Sequence, residues 1–283
     1  MKRWIAQKPT ATHQWLLVGL VLFYLGGVLG APLLALVGRM RTTGEPPILT
    51  ALADEGARQG LLMSVGITVL AVVIGTVFGI AAALVLVRSR FIGRRLLDAL
   101  IDLPLAVSPV MAGLAFLILC GRGGWLTPVL DIFGVRVPFA FGGVLIATLF
   151  VTVPFVVREV EHVLTELGTS EEEAAATLGA SRWQTFWRVT LPNIRYAVGY
   201  GVVLTAARSY GEFGAVLVLG GAIAGKTQTA TTFIFTALDE RQEAAAYGMA
   251  LILAMSSIAL LMTLEFIKKL GERTARPTSG EGV

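Results

Sequence analysis

Six stretches of this 283-residue chain are apolar for long enough to cross a lipid bilayer as helix, at residues 15–37, 61–87, 97–120, 138–157, 197–219 and 244–270. Crossing the hydrocarbon core takes roughly 20 apolar residues in helical form. Composition agrees: 55% of residues are hydrophobic and only 15% are charged, against about a quarter charged in an ordinary soluble chain. The expected class is an all-α integral membrane protein with six transmembrane helices.

Charge orients the spans, because Lys and Arg concentrate in cytoplasmic loops. Lys2, Arg3 and Lys8 share one side with Arg88, Arg90, Arg94, Arg95, Arg158, Arg182, Arg188, Arg195, Lys268, Lys269, Arg273 and Arg276. The other side holds Arg39, Arg41, Arg58, Arg122, Arg136, Lys226 and Arg241, and Arg208 lies within a span. Fifteen against seven puts both termini in the cytoplasm. The first apolar run exceeds the roughly 7–15 residues of a signal-peptide core, so it reads as a retained span. The positive charges alternate between loops instead of clustering, which argues against a nucleic-acid surface. Cys120 is the only cysteine, and His13 and His162 are far apart, so neither a disulfide framework nor a Cys- or His-built metal site is expected.

The longest cytoplasmic connection joins the fourth and fifth spans, and its pattern is structured. Thr169 with Glu172, and Ser170 with Glu173, form two overlapping capping-box patterns. Ala174, Ala175 and Ala176 favour helix, and Gly179 supplies a turn or helix C-cap. Ser181 and Gln184 make another capping box, opening a short helix with Trp183, Phe186 and Trp187 that Leu191-Pro192 closes. The expectation is helix, glycine turn, helix: a lever held between two spans.

Within it, Glu173-Ala174-Ala175, Gly179, Val189 and Leu191-Pro192 are spaced as in the EAA motif of ABC importer permeases, and the chain resembles that family. Further stretches are similar to sulfate permeases from about residue 61 to residue 266. They include Asp102-Leu103-Pro104-Leu105-Ala106-Val107-Ser108-Pro109 in the third span and Arg208-Ser209-Tyr210-Gly211-Glu212-Phe213-Gly214-Ala215 in the fifth. The Ala-Val-Ser-Pro wording resembles the W-type subunit, which pairs with a T-type subunit. Molybdate permeases share the Gly-Glu-Phe-Gly-Ala stretch and are the neighbouring alternative.

The resemblance implies a MetI-like type I importer fold with a cytoplasmic coupling helix, on which Glu173, Ala174, Ala175, Gly179, Leu191 and Pro192 dock an ATPase. It implies two cytoplasmic ATPase subunits that bind ATP and Mg, a second permease, and an extracytoplasmic sulfate-binding protein. The chain itself would carry no cofactor and no catalysis, in a bacterial inner membrane. The expected division is 1–60 for the N-terminal tail, first helix and outer loop, 61–270 for the permease core, and 271–283 for a polar cytoplasmic tail.

Other features have competing readings. Pro104 and Pro109 flank Ser108 inside the third span, either as a packing kink or as a break that turns backbone toward a translocation pathway. Arg208 and Glu212, separated by one helical turn with Gly211 beside them, are a structural ion pair, an anion ligand or a gate. Arg158 and Glu159 end the fourth span and pair with a neighbour or mark an interface. Gly75 with Gly79, and Gly26 with Gly30, permit close helix approach. Gly220, Gly225, Lys226 and Thr227 formally match a phosphate-binding P-loop. That motif needs a preceding strand and cytoplasmic access, so a chance match in an outer loop is the better reading.

Overall fold

The computed structural model describes residues 11–40 and 46–275. Lys2, Arg3, Lys8, Arg41 and Arg276, used above for orientation, lie outside the described residues. All regular structure among the described residues is helical. The first rod is α1 (Ala11–Leu25), a π-helical turn at Gly26–Gly30, and α2 (Ala31–Met40); Leu25 and Ala31 keep helical torsions, so the three pieces are continuous. Then come α3 (Pro47–Ala53), α4 (Glu55–Arg88), α5 (Arg94–Ala106), α6 (Pro109–Cys120), α7 (Thr127–Ile132) and α8 (Phe141–Leu167). They are followed by α9 (Ser170–Thr177), α10 (Arg182–Thr185), a π-helical turn at Phe186–Thr190, and α11 (Leu191–Tyr210). The chain closes with α12 (Gly214–Gly220), α13 (Ala230–Asp239) and α14 (Glu243–Ala275).

Three helices are long and apolar enough to cross a membrane unbroken: α4, α8 and Glu243–Leu270 of α14. Each outruns its sequence-predicted span. α4 starts at Glu55 because Asp54 caps it, its Oδ1 accepting from the Ala57 N–H at 2.7 Å. α8 continues to Leu167, and α14 runs through 271, where the polar tail was expected to begin, to Ala275.

The third and fifth predicted spans are each two helices. α5 and α6 meet at 114°, and the helix Arg182–Tyr210 meets α12 at 57°. The first break has a local cause. Val107 (φ −95°, ψ 133°) and Ser108 (φ −59°, ψ 136°) are extended, as Pro109 requires of the residue before it. Pro104 stays inside α5 without breaking it. The apolar stretch Trp15–Val28 of the first rod is shorter than these spans.

The three helices α4, α8 and α11 meet at Val156. A Cβ added to Gly79 of α4 would lie 2.6 Å from Val156 Cβ, and one on Gly201 of α11 would lie 2.9 Å from Val156 Cα. Only hydrogen fits there, so both glycines let backbones pack closely. Gly75 sits one turn away, facing Thr205 of α11. Gly26 and Gly30 meet nothing within 4 Å and lie instead in the π-helical turn. Around Val156 the core continues through Ala83, Leu86, Val157, Val160, Leu164 and Ile194. A second cluster joins α4, α13 and α14 through Ala57, Phe233, Ala237, Ala246 and Met249. Outward faces stay apolar: Leu62, Val77, Met262 and Phe266 are all exposed, which suits lipid and not water.

Candidate functional site

The connection between α8 and α11 folds as a hairpin. Just past the end of α9, Gly179 sits at φ 83°, a conformation that costs glycine nothing. Its N–H donates to Ala176 O, and the Ala180 N–H donates to Ala175 O, both at 3.0 Å. This paired arrangement satisfies the carbonyls left over at a helix end. Ser181 then caps α10: Gln184 N–H donates to its Oγ at 3.3 Å, and Ser181 N–H donates to Gln184 Oε1 at 2.9 Å. That predicted capping box is present.

The two overlapping boxes at the start of α9 are not. Thr169 Oγ1 donates to Glu173 Oε1 at 2.6 Å, while Glu172 is drawn out of the cap toward Arg88. A guanidinium outcompetes a backbone N–H for a carboxylate. Nor does Leu191-Pro192 close the unit: one helix runs from Arg182 to Tyr210. At the π-helical turn the Leu191 N–H reaches back to Phe186 O, and Pro192 falls in the first turn of α11, where its missing N–H matters least. The second arm of the hairpin is therefore rigidly joined to the fifth span.

Of the predicted docking residues, Glu173, Ala174, Gly179 and Pro192 are exposed, and Ala175 and Leu191 half-buried. Leu178 is 88% exposed and Trp183 69%. Trp183 packs against Trp187 and Phe186, with centroids 5.4 Å and 6.1 Å away. The hairpin tip thus exposes a carboxylate, small residues and a few large apolar side chains together.

The predicted pathway residues come together at the two breaks. A Cβ on Gly214, at the start of α12, would meet Val110 Cγ2 at 2.9 Å and Pro109 Cβ at 3.5 Å. One on Gly113 of α6 would meet Ala215 O at 2.8 Å. The two short helices α6 and α12 thus lie against each other, and their hinges are neighbours. Pro104 is buried, Pro109 half-buried and Ser108 exposed, with no side-chain cap formed by its hydroxyl.

At the second hinge Gly211 is exposed and Glu212 is buried. Glu212 Oε1 accepts from the Ala215 N–H at 2.9 Å, and its main-chain oxygen accepts from Thr231 Oγ1 at 2.7 Å. Its Oε2 lies 2.6 Å from Arg208 Nη1 as an ion pair, without the alignment of a hydrogen bond. A buried carboxylate needs such partners to remain charged. The Arg208 side chain is 34% exposed, so the pair keeps one face open.

Sequence spacing did not reveal the charge clusters at the helix ends nearest the hairpin. Arg158 of α8 pairs with Asp98 and Asp102 of α5, each at 2.7 Å, and with Glu161. All three of these partners are in its own chain. Arg88, at the end of α4, pairs with Glu172 of α9 at 2.9 Å. The signal available was that these charges end neighbouring spans; which charges meet depends on how the helices pack.

The P-loop pattern at Gly220, Gly225, Lys226 and Thr227 follows a helix, α12. Its turn is closed on itself: the N–H groups of Lys226, Thr227 and Gln228 all donate to Ile223 O, at 3.1, 2.9 and 3.0 Å. Thr227 Oγ1 donates to Gly220 O at 2.7 Å. The N–H groups of Ile223, Lys226, Thr227 and Gln228 are thus spent within the turn and are not turned toward a phosphate.

An all-helical membrane fold, paired broken helices and a rigid hairpin between spans define a transport-system permease. The family model described as "Binding-protein-dependent transport system inner membrane component" matches residues 75–276, and the chain belongs to that family. The chain is 44% identical over 256 residues to the sulfate transport system permease protein CysW of Synechocystis sp., covering 90% of this chain and 93% of that one. It is 43% identical over 192 residues to the sulfate transport system permease protein CysT of Escherichia coli K12, covering 68% and 69%. Among solved structures, a bacterial ABC transporter for import of the acidic polysaccharide alginate matches with TM-score 0.72 and 17% identity, covering 94% and 98%. That likeness is one of fold.

Proposed function

We propose that this chain is the membrane-spanning permease subunit of an ABC importer for sulfate or thiosulfate, with ATP hydrolysed by separate subunits. The observation that carries the cargo is the 44% identity to a CysW sulfate permease across nine-tenths of the chain. The observation that supports the power source is the hairpin of α9 and α10, rigidly continuous with α11 and exposed at its tip.

In this reading residues 61–270 form the permease core, between an N-terminal segment of 1–60 and a tail of 271–283. The rod Ala11–Met40 is the first of six spans, each bent pair is one span, and both termini are cytoplasmic. The hairpin is the coupling helix, docking an ATPase through Glu173, Ala174, Ala175 and Gly179. Two ATPase subunits bind ATP and Mg; a second, T-type permease completes the pore; an extracytoplasmic binding protein delivers the anion.

ATP-driven closure of the ATPases moves the hairpins, and the long helix Arg182–Tyr210 carries that motion to the hinge at Gly211 and Glu212. The adjoining hinge at Ser108 and Pro109 moves with it, because α6 and α12 are packed together. Access alternates between the two sides of the membrane. This chain supplies half the pore and no covalent chemistry.

The test of cargo is competition. Radiolabelled sulfate uptake by the reconstituted complex is expected to be suppressed by excess unlabelled sulfate or thiosulfate and little affected by equimolar molybdate. Preferential loss with molybdate would make it a molybdate permease and overturn the sulfate assignment.

A further inference from the structure

The junction where the hairpin leaves the membrane is organised around one guanidinium. Arg88 is the last residue of α4, and it reaches two other elements. Its Nε donates to Glu172 Oε2 at 2.9 Å, and Nη2 donates to Glu172 Oε1 at 3.3 Å. Nη2 also donates to Gly168 O at 2.7 Å, and Nη1 donates to Leu164 O at 3.2 Å. Leu164 and Gly168 belong to the end of α8, where carbonyls have no helical partner, and Glu172 lies in the first turn of α9. Glu172 is shared: Thr190 Oγ1, at the root of α11, donates to its Oε1 at 2.9 Å. Asn193 Nδ2 of α11 donates to Glu171 as well.

From this geometry we infer that Arg88 is the positioning residue of the hairpin: it joins α4, α8, α9 and, through Glu172, α11 into one rigid junction. The inference rests on the hairpin being the ATPase docking element, and it names the residue that turns docking into movement. Gly168, at φ 66°, is the swivel between α8 and α9. Without Arg88 the tip could still bind its partner, but α9 would pivot at Gly168 and the push would be lost before reaching the spans. The side chains of Arg88 and Glu172 are 19% and 24% exposed. This shields the pair from the screening that makes surface ion pairs weak. Lysine is only a partial substitute, since a point charge cannot hold a carboxylate and two carbonyls in a fixed fan.

The experiment is sulfate uptake and ATP hydrolysis, measured together in proteoliposomes of the complete complex. Arg88→Ala is expected to lower sulfate moved per ATP by roughly 5- to 30-fold, the range of a lost coupling energy, with hydrolysis retained. Arg88→Lys and Thr190→Val should fall between it and the wild type. A purely structural role would instead lower uptake and hydrolysis in proportion. If Arg88→Ala fails to assemble, the two milder variants decide by the same ratio. An unchanged ratio in every variant that assembles overturns the inference. A photoreactive benzoylphenylalanine replacing Ala176 separates this from the reading beneath it: failure to cross-link the ATPase in the otherwise unchanged complex refutes docking, whereas cross-linking with an unchanged ratio refutes only the role of Arg88.

Discussion

Gly79 shows how much one hydrogen atom in place of a methyl group can decide. Its missing side chain lets α4 and α8 touch at Val156, where a Cβ would sit 2.6 Å from a neighbouring carbon. Gly26 belongs to the same kind of spaced pair but has no neighbour within 4 Å among the described residues. Gly79→Ala is expected to destabilise by about 1–3 kcal/mol, the usual cost of overpacking, and Gly26→Ala to be near neutral; thermal unfolding of the purified chain in detergent compares them. The two pairs read alike in sequence because spacing specifies a face and says nothing of what the face meets. Glu212 teaches the same lesson. Its partner Arg208 was legible from the one-turn spacing, whereas its bond to the Ala215 N–H accompanies the 57° bend at the hinge and the bond from Thr231 comes from a helix 19 positions further on.

Elements repeat that division between local and distant causes. The break in the third span was legible, because Pro109 denies helical torsions to Ser108. The 114° bend that follows was not, since it depends on where α6 finds α12. Ser108 lies at the elbow with an exposed side chain and no capping bond. A Ser108→Cys variant, in a background where Cys120 is replaced by alanine, should react with a small aqueous thiol reagent in at least one nucleotide state. Complete protection in every state would remove Ser108 from the pathway. In the hairpin, Ser181 and Gln184 behaved as local chemistry demands. Glu172 did not cap α9, because Arg88, 84 positions earlier in the chain, holds it with two charge-assisted bonds. Pro192 marked a helix end in sequence, yet the π-helical turn before it lets the helix continue.

At the scale of the molecule the two arginine junctions and the two hinges are linked by a continuous set of packed elements. Arg88 ties the hairpin to α4 and α8, and Arg158 ties α8 to α5, which leads into the Ser108 elbow. From the other arm, the helix Arg182–Tyr210 leads directly to the Glu212 elbow. Both routes end where α6 packs on α12. The membrane class and the hairpin could be read from hydropathy and caps, whereas the contacts between them could not: the two arginine junctions alone join residues 56 to 84 positions apart. The most direct test of an importer driven from this hairpin is accumulation of radiolabelled sulfate in proteoliposomes holding the whole complex and its binding protein, with and without ATP on the ATPase side. The expected result is uptake against the sulfate gradient that stops when ATP is omitted. Uptake that merely equilibrates sulfate, or proceeds equally without ATP, would contradict it.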